Sequence, residues 1–388
     1  MKYPRKKLGE IFRLRGGKRL PVGEQLLKTP TIHPYIRGRD IRNGRVFLDE
    51  PVYVSDELFG RLKNYVVETN DVCITIVGNI GDVGLVPPQL NGANLTENAV
   101  RLTEPANDCD PIYAMYALLS DGPQSQMKLS AAGAAQSKLG LYKVQEIEIP
   151  YPPPLTQRRI AAILSAYDDL IENNNRRIRI LEEMAQLLYR EWFVHFRFPG
   201  HEGVKMVKGV PEGWSGRLDD ALILQRGFDL PTKQRREGNV PVYAATGVVG
   251  AHNEVKVKGP SVVTGRSGSL GTVLYIHEDF WPLNTALWIK EFRRVTPIYA
   301  FYLLSSLDLT SFNSGAAVPT LNRNDIHGLP VVIPDRTVLE QFDTHVQPMF
   351  EMKRCLELKN ANLRRTRDLL LPRLVSGEVD VERLEIGT

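Results

Sequence analysis

The sequence predicts an α+β protein: two similar α/β domains and a pair of long antiparallel coiled-coil helices, related by a pseudo-two-fold internal repeat. Three observations predict it. The chain repeats itself in order along its length, two stretches carry apolar residues at a 3.5-residue period, and a Gly- and Pro-rich stretch, 197–213, falls between the two copies.

The repeat is read from matched segments. PIYAMYALLS (111–120) recurs as PIYAFYLLSS (297–306), with seven of ten positions identical at an offset of 186. Asn98 and Asn284 share that offset. Residues 6–21 align without gaps to 216–231, pairing Leu8 with Leu218, Leu14 with Leu224, Gly17 with Gly227 and Pro21 with Pro231. GNIG (78–81) matches GSLG (268–271), and GAA occurs at 133–135 and 315–317. The offset drifts as loop insertions would make it drift.

Each copy opens with a mixed part, 1–152 and again 214–334. Short β-type runs such as Val72–Val77 and Ser261–Thr264 are bounded by Gly, Pro and Asn turns. Pro111–Ser120 places Ile112, Met115, Tyr116 and Leu119 on one helical stripe.

A helix follows, over 153–196. Ile160, Leu164, Tyr167, Ile171, Asn174, Ile178, Leu181, Ala185, Leu188 and Trp192 alternate spacings of four and three, the mark of a coiled-coil seam. One exposed seam cannot stand alone, so a partner is required. The second copy supplies it over 335–376: Phe342, Val346, Met349, Leu356, Leu363, Leu370 and Leu374 keep the period, which Lys353, Asn360 and Arg367 interrupt. Pro348 and Pro372 are expected to end or kink this helix locally. Connectivity makes the pair antiparallel, with one domain at each end and a tail at 377–388. Asn174 either sets register in the seam or reaches water at an open point.

Composition bounds the function classes. The 388 residues are 43% hydrophobic and 24% charged, as in soluble globular chains of two or three domains. No apolar run approaches a membrane span, and MKYPRKKLGE lacks the apolar core of a signal peptide. Cys73, Cys109 and Cys355 are odd in number and far apart, which suits a reducing cytoplasm. The net charge is +4, but residues 1–45 hold thirteen Lys or Arg against Glu10, Glu24 and Asp40. That reads either as a polyanion-binding patch or as a solvated surface.

The order of segments is specific. A globular domain leads into PPPLTQRRIAAILS (152–165), a heptad helix, FRFPGHEG (196–203), VPEGW (210–214), a second globular domain and a second helix. Over essentially the whole chain this resembles the specificity subunit of type I restriction-modification enzymes. The second helix start, IPDRTVLEQFD (333–343), departs from the first in lacking the proline cluster. The resemblance implies two target recognition domains, each reading half of a split double-stranded DNA sequence. It also implies helices that space them and dock two modification subunits, with restriction subunits joining through the complex. S-adenosylmethionine, ATP and Mg would then belong to the partners.

For such a role, candidate phosphate contacts are Arg13, Arg15, Lys18, Arg19, Arg37, Arg39 and Arg42 in domain one. In domain two they are Arg226, Lys233, Arg235, Arg236 and Arg266. The loops Gly78–Gly81 and Gly268–Gly271 let backbone approach phosphates, or else are tight β-turns needing positive φ. Asn79, Asn94, Gln136 and Asn322 are candidate base readers. No nucleotide- or cofactor-binding glycine fingerprint, phosphate loop or metal-ligand His spacing appears. Two other readings stay open: a DNA-modifying enzyme with a scattered catalytic site, and a two-headed protein-binding scaffold.

Overall fold

A computed structural model describes residues 3–132, 138–315 and 317–383, the side chain of Arg383 aside. Gln136, the first GAA segment and Ala316 of the second lie outside the described residues. The chain forms two compact units: Met1–Asn173 with Lys359–Thr388, and Asn174–Leu358.

Besides the paired strands Arg5–Lys7 and Glu148–Pro150, the first unit has β1 (Arg13–Gly16), β2 (Tyr35–Ile36), β3 (Ile41–Arg42), β4 (Gly44–Val46), β5 (Val72–Thr75), β6 (Val83–Leu85), β7 (Asn94–Leu95) and β8 (Ala99–Thr103). One sheet runs β1-β8-β5-β6-β4-β3, and β2 pairs in parallel with β7. Val72, Ile74, Val83, Val100 and Leu102 join one buried core with helix α1 (Pro111–Leu119). Asp110 caps α1 by accepting the N–H groups of Ile112 and Tyr113, and Pro111 costs nothing in the first turn. The 40-residue helix α2 (Pro154–Phe193) then begins.

The second unit repeats this plan. Besides the pair Ser215–Arg217 and Pro330–Val332 and a short hairpin at 206–211, its strands are β9 (Leu222–Arg226), β10 (Val240–Ala244), β11 (Gly247–His252), β12 (Ser261–Gly265), β13 (Val273–Ile276), β14 (Trp281–Pro282) and β15 (Ala286–Phe292). The main sheet runs β9-β15-β12-β13, the same order as β1-β8-β5-β6, and β10 pairs in parallel with β14 as β2 does with β7. Helix α3 (Pro297–Ser306), capped by Thr296, stands where α1 stands. A short helix α4 (Arg323–His327) and the 41-residue α5 (Arg336–Ser376) complete the chain. The glycines Gly17 and Gly227 match because a Cβ at either would meet backbone oxygen, at 2.0 Å from Thr96 and 2.2 Å from Leu283. The copies differ at one edge: β4 and β3 extend the first sheet beyond β6, whereas β13 ends the second.

The helices run antiparallel within each unit. In the first, Asp168 meets Arg367 while Thr156, nearer the start of α2, meets Glu382 just beyond the end of α5, so numbers rise along one segment as they fall along the other. Ile160 and Leu164 share a core with Leu374 and Val375, and Leu370 packs beside it. In the second, Glu182 meets Lys353 at 2.5 Å and Trp192 stands edge-on to His345. Ala185, Tyr189 and Trp192 share a core with Leu339, Phe342 and Val346, with Leu188 packed against it.

Ile171, Asn174, Leu356 and Asn360 are buried, whereas Ile178, Leu181 and Leu363 are half-buried. Three sequence expectations are corrected. Neither Pro348 nor Pro372 ends α5, which passes through both. Arg367 and Lys353 do not break the seam but close it, pairing with Asp168 and Glu182. Buried Asp168 rather than Tyr167 occupies the seam one turn past Leu164. The linker 197–213 carries structure of its own: Phe198 is buried against Trp214 at 4.7 Å between centroids, and Met206–Val207 pairs with Val210–Pro211.

Candidate nucleic-acid interface

The N-terminal basic run does not remain a basic patch once folded. Arg13 and Arg15 both reach Glu104 at 3.3 Å, Arg19 reaches Glu97 at 3.6 Å, and Arg39 reaches Glu50 at 2.6 Å. Arg42 pairs with Asp49 and lies over the Phe47 ring. Exposed pairs of this kind are weak, so phosphate can compete for these guanidinium groups. Lys18 lies over Tyr65 without an ion pair among the described residues.

Arg37 is different, and its assignment as a phosphate contact is corrected. It donates to both oxygens of Asp40 at 2.9 Å and to the Glu50 carbonyl at 2.6 Å, and Asp40 is buried. It ties a loop together and has little left to offer a ligand. Asn94 is corrected for the same reason: it is buried, and its amide donates to the Leu62 carbonyl at 3.0 Å.

The glycine loops are turns. Gly78, Gly81, Gly268 and Gly271 all have positive φ, between +80° and +92°. Gly81 N–H donates to the Thr75 carbonyl of its own hairpin and Gly268 N–H to the Pro319 carbonyl of a later loop, so those amides serve the fold rather than an anion. Asn79 remains exposed at the tip of the first loop.

The second unit holds the stronger site. A groove of about 1110 Å³ is lined by Gln225, Arg226, Arg266, Lys290, Asn322 and Arg323, among others. Strand β9 and its neighbour β15 supply Gln225, Arg226 and Lys290; the β12–β13 turn supplies Arg266; α4 and its cap supply Asn322 and Arg323. Leu224 on β9 is buried, so strand alternation brings Gln225 out.

Several of these groups are held but not neutralised. Arg266 donates to the Asn284 carbonyl and Arg323 to the Leu224 carbonyl, each at 3.2 Å, yet neither forms an ion pair among the described residues. Lys290 is exposed and likewise has no ion pair there. Arg226 is offset by Asp229 at 3.4 Å. His327 stitches the groove wall by accepting the Leu224 N–H at its Nε2, 3.1 Å away. Burial first, then Arg323 and Arg293, hold its pKa below the usual value against the pull of Asp219, which suits an acceptor nitrogen.

Lys233 and Arg236 are exposed outside this groove, and Arg235 donates to the Val249 carbonyl at 2.8 Å. Sequence reasoning missed Gln225, Lys290 and Arg323. A signal for Gln225 existed in the repeat: it aligns with Arg15, and the registers Arg15–Arg101 and Gln225–Trp288 coincide.

Two copies of one sheet-and-helix fold, each joined to an antiparallel helix pair, with an open cationic groove in the second unit, have the form expected of a nucleic-acid-binding protein. Residues 2–183 match the family model described as the type I restriction modification DNA specificity domain. The chain is 29% identical over 301 residues to the type I restriction enzyme MjaIX specificity subunit of Methanocaldococcus jannaschii, covering 70% of each. It is 30% identical over 196 residues to the EcoBI specificity subunit of Escherichia coli, covering 49% of this chain and 40% of that one. Its fold is similar to the type I restriction-modification S subunit from M. genitalium, with a TM-score of 0.64, 17% identity and 96% of each chain covered. By these comparisons the chain is similar to type I restriction-modification specificity subunits in sequence and shares the fold of one of them.

Proposed function

We propose that this subunit reads a bipartite duplex target for a type I restriction-modification complex, one half-site per recognition domain, and docks two modification subunits on its helices. The observation that carries the DNA reading is the groove of the second unit, where unneutralised Arg266, Lys290 and Arg323 surround the amides of Gln225 and Asn322. Cations of that kind bind phosphate without regard to sequence, and the amides discriminate base edges.

The helices offer a docking surface of the right kind. Ile180, Met184 and Leu187 are exposed on α2, apart from the residues that face α5, and Val194 is exposed just beyond its end. An exposed aliphatic row of this length marks a protein contact. The subunit itself is non-catalytic. S-adenosylmethionine, ATP and Mg belong to the partner subunits in this reading, and restriction subunits join through the modification subunits. Among the described residues no helix is long and apolar enough to cross a membrane. The free thiols of Cys73, Cys109 and Cys355 suit the cytoplasm.

The test is to map methylated adenines in cells with and without this gene. A split motif that disappears with the gene supports the reading, and an unchanged pattern overturns it. Binding of the purified chain to random duplex DNA should fall steeply with salt.

A further inference from the structure

The duplication provides an internal control: whatever fills a place in one copy tells what could fill it in the other. In the first unit the edge of β6 is covered by β4, which runs parallel to it with Gly44 opposite Gly84 and Arg45 opposite Leu85. Gly44 lies against α1, where a Cβ would stand 2.9 Å from Met115 Sδ. Arg45 reaches along the sheet to α2, with its guanidinium 3.2 Å from Asp169 and 3.8 Å from Glu172.

In the second unit every receiving part of this arrangement is present and the covering strand is not. β13 corresponds to β6 at an offset of 190, with Leu274 and Tyr275 at the places of Gly84 and Leu85. It is the last strand of its sheet among the described residues. The Gly265 N–H donates to the Thr272 carbonyl, and bonded residues alternate along an antiparallel pair. Val273 and Tyr275 therefore turn their amides away from β12, toward the open edge. Val83 is fully buried in the first unit, whereas Val273, Leu274 and Tyr275 are only half-buried. Phe301 occupies the repeat position of Met115.

The open place is a pocket of about 460 Å³. Tyr275, Phe301 and Phe350 give it an aromatic wall, with Tyr275 edge-on to Phe350 at 4.8 Å. Glu182 and Glu357 line its rim, and both approach Lys353. Glu351 stands at the α5 position that matches Asp169 on α2. Natural edges are normally shielded by charge, bulges or a covering element, and an open edge beside an apolar pocket is a template for strand addition.

We propose that the β13 edge and this pocket form a slot for an extended segment of a partner protein. The segment adds a strand parallel to β13, places a small residue against Phe301 and directs a Lys or Arg to the glutamates at the rim. The assignment stands apart from the DNA reading, because it uses no residue of the groove.

A fluorescent peptide copying residues 40–49 of this chain, which includes Gly44 and Arg45, is the probe, titrated into the full-length protein. Saturable binding is expected, weakened about 10-fold or more by Arg45→Glu in the peptide and by Tyr275→Pro in the protein, which removes an outward amide. Phe301→Lys, which leaves the strand backbone intact, should weaken it similarly and guards against misfolding of the proline variant. Equal binding to both protein variants overturns the slot, as does no saturable binding at all. Self-association of the chain that Tyr275→Pro abolishes would seat a second copy there and overturn the assignment to a foreign partner.

Discussion

At the residue scale, what a charged side chain does depends on what it already holds. Arg37 and Lys290 are both cations, but only one has its charge to spare. Arg37→Ala should destabilise the first unit, because it strands the buried Asp40 carboxylate; losing one partner of a buried pair costs about 3–5 kcal/mol. Lys290→Ala should leave the melting temperature unchanged and lower the slope of log K against log salt by about 1. Denaturation curves and salt titrations on random duplex separate the two, and the reverse outcome would move the interface to the first unit's loop. A second residue gives a pH signature. Asp343 accepts from the Thr296 hydroxyl at 3.0 Å, and burial, followed by repulsion from Glu340, pushes its pKa up to about 6 against the help of Thr296. The native state thus holds a proton that the unfolded chain releases near pH 4, so this residue's contribution to stability falls as pH rises from about 4 to about 6. Asp343→Asn should raise the melting temperature at pH 7 and lose that advantage below pH 4. None of these distinctions was legible in the sequence. Composition marks 1–45 as basic, but the carboxylates that answer it, Glu97, Glu104 and Glu148 among them, come from far along the chain.

At the element scale, the sequence was read more successfully, because helix and strand periods are local. The seam of Ile160, Leu164 and Ile171 is buried as its spacing requires, and the cap-and-proline starts of α1 and α3 fall where Asp110 and Thr296 put them. What periodicity could not supply was the meaning of the interruptions. A charge in a seam looks like a break until its partner on the other helix is known. Asp168 accepts from the Tyr116 hydroxyl at 2.5 Å as well as from Arg367, so one carboxylate binds α1, α2 and α5 into a single unit. Asp168→Ala should therefore cost about 1–3 kcal/mol, because the buried Tyr116 hydroxyl loses its acceptor and half-buried Arg367 keeps only Asp368. The double variant Asp168→Leu with Arg367→Met replaces the pair with apolar bulk and should recover most of that loss. Chemical denaturation of the wild type and three variants forms the cycle. If the double variant is no more stable than Asp168→Ala, the network with Tyr116 matters more than the ion pair. The turns at Gly78 and Gly268 show the opposite limit: a glycine motif was visible, but only φ and the Thr75 and Pro319 carbonyls decided between anion cradle and hairpin.

At the scale of the whole molecule, duplication makes the two recognition domains separable in principle and fixes where they can be cut. The sheets β1-β8-β5-β6 and β9-β15-β12-β13 share a frame, while the surfaces on it differ: Arg15 faces out where Gln225 does, and the β3–β4 edge has no counterpart among the described residues. Such a frame lets half-site recognition change without altering the helix pair. The attachment is not interchangeable, however. Gln157 at the start of α2 accepts the Asp110 N–H and donates to the Asp108 and Pro152 carbonyls, and Tyr113 donates to the Pro150 carbonyl. Residues 108–120 thus belong to the helix socket as much as to the domain. Replacing only 13–103 with the matching sheet of another specificity subunit should yield a soluble, assembling protein whose methylated motif changes in one half-site and keeps the other. Extending the replacement through 120 without also changing Gln157, Asp168 and Arg367 should leave buried polar groups unpaired and cost solubility or assembly. Gln225→Arg is the smallest form of the same experiment on the other domain. A glutamine amide pairs with adenine and a guanidinium with guanine, so the second half-site should lose preference at one base while the first is untouched. Sequencing the methylated adenines in cells carrying each variant reads both halves at once. If the 13–103 replacement altered both half-sites together, the domains would not read independently, and the repeat would be a scaffold for one shared surface instead of two.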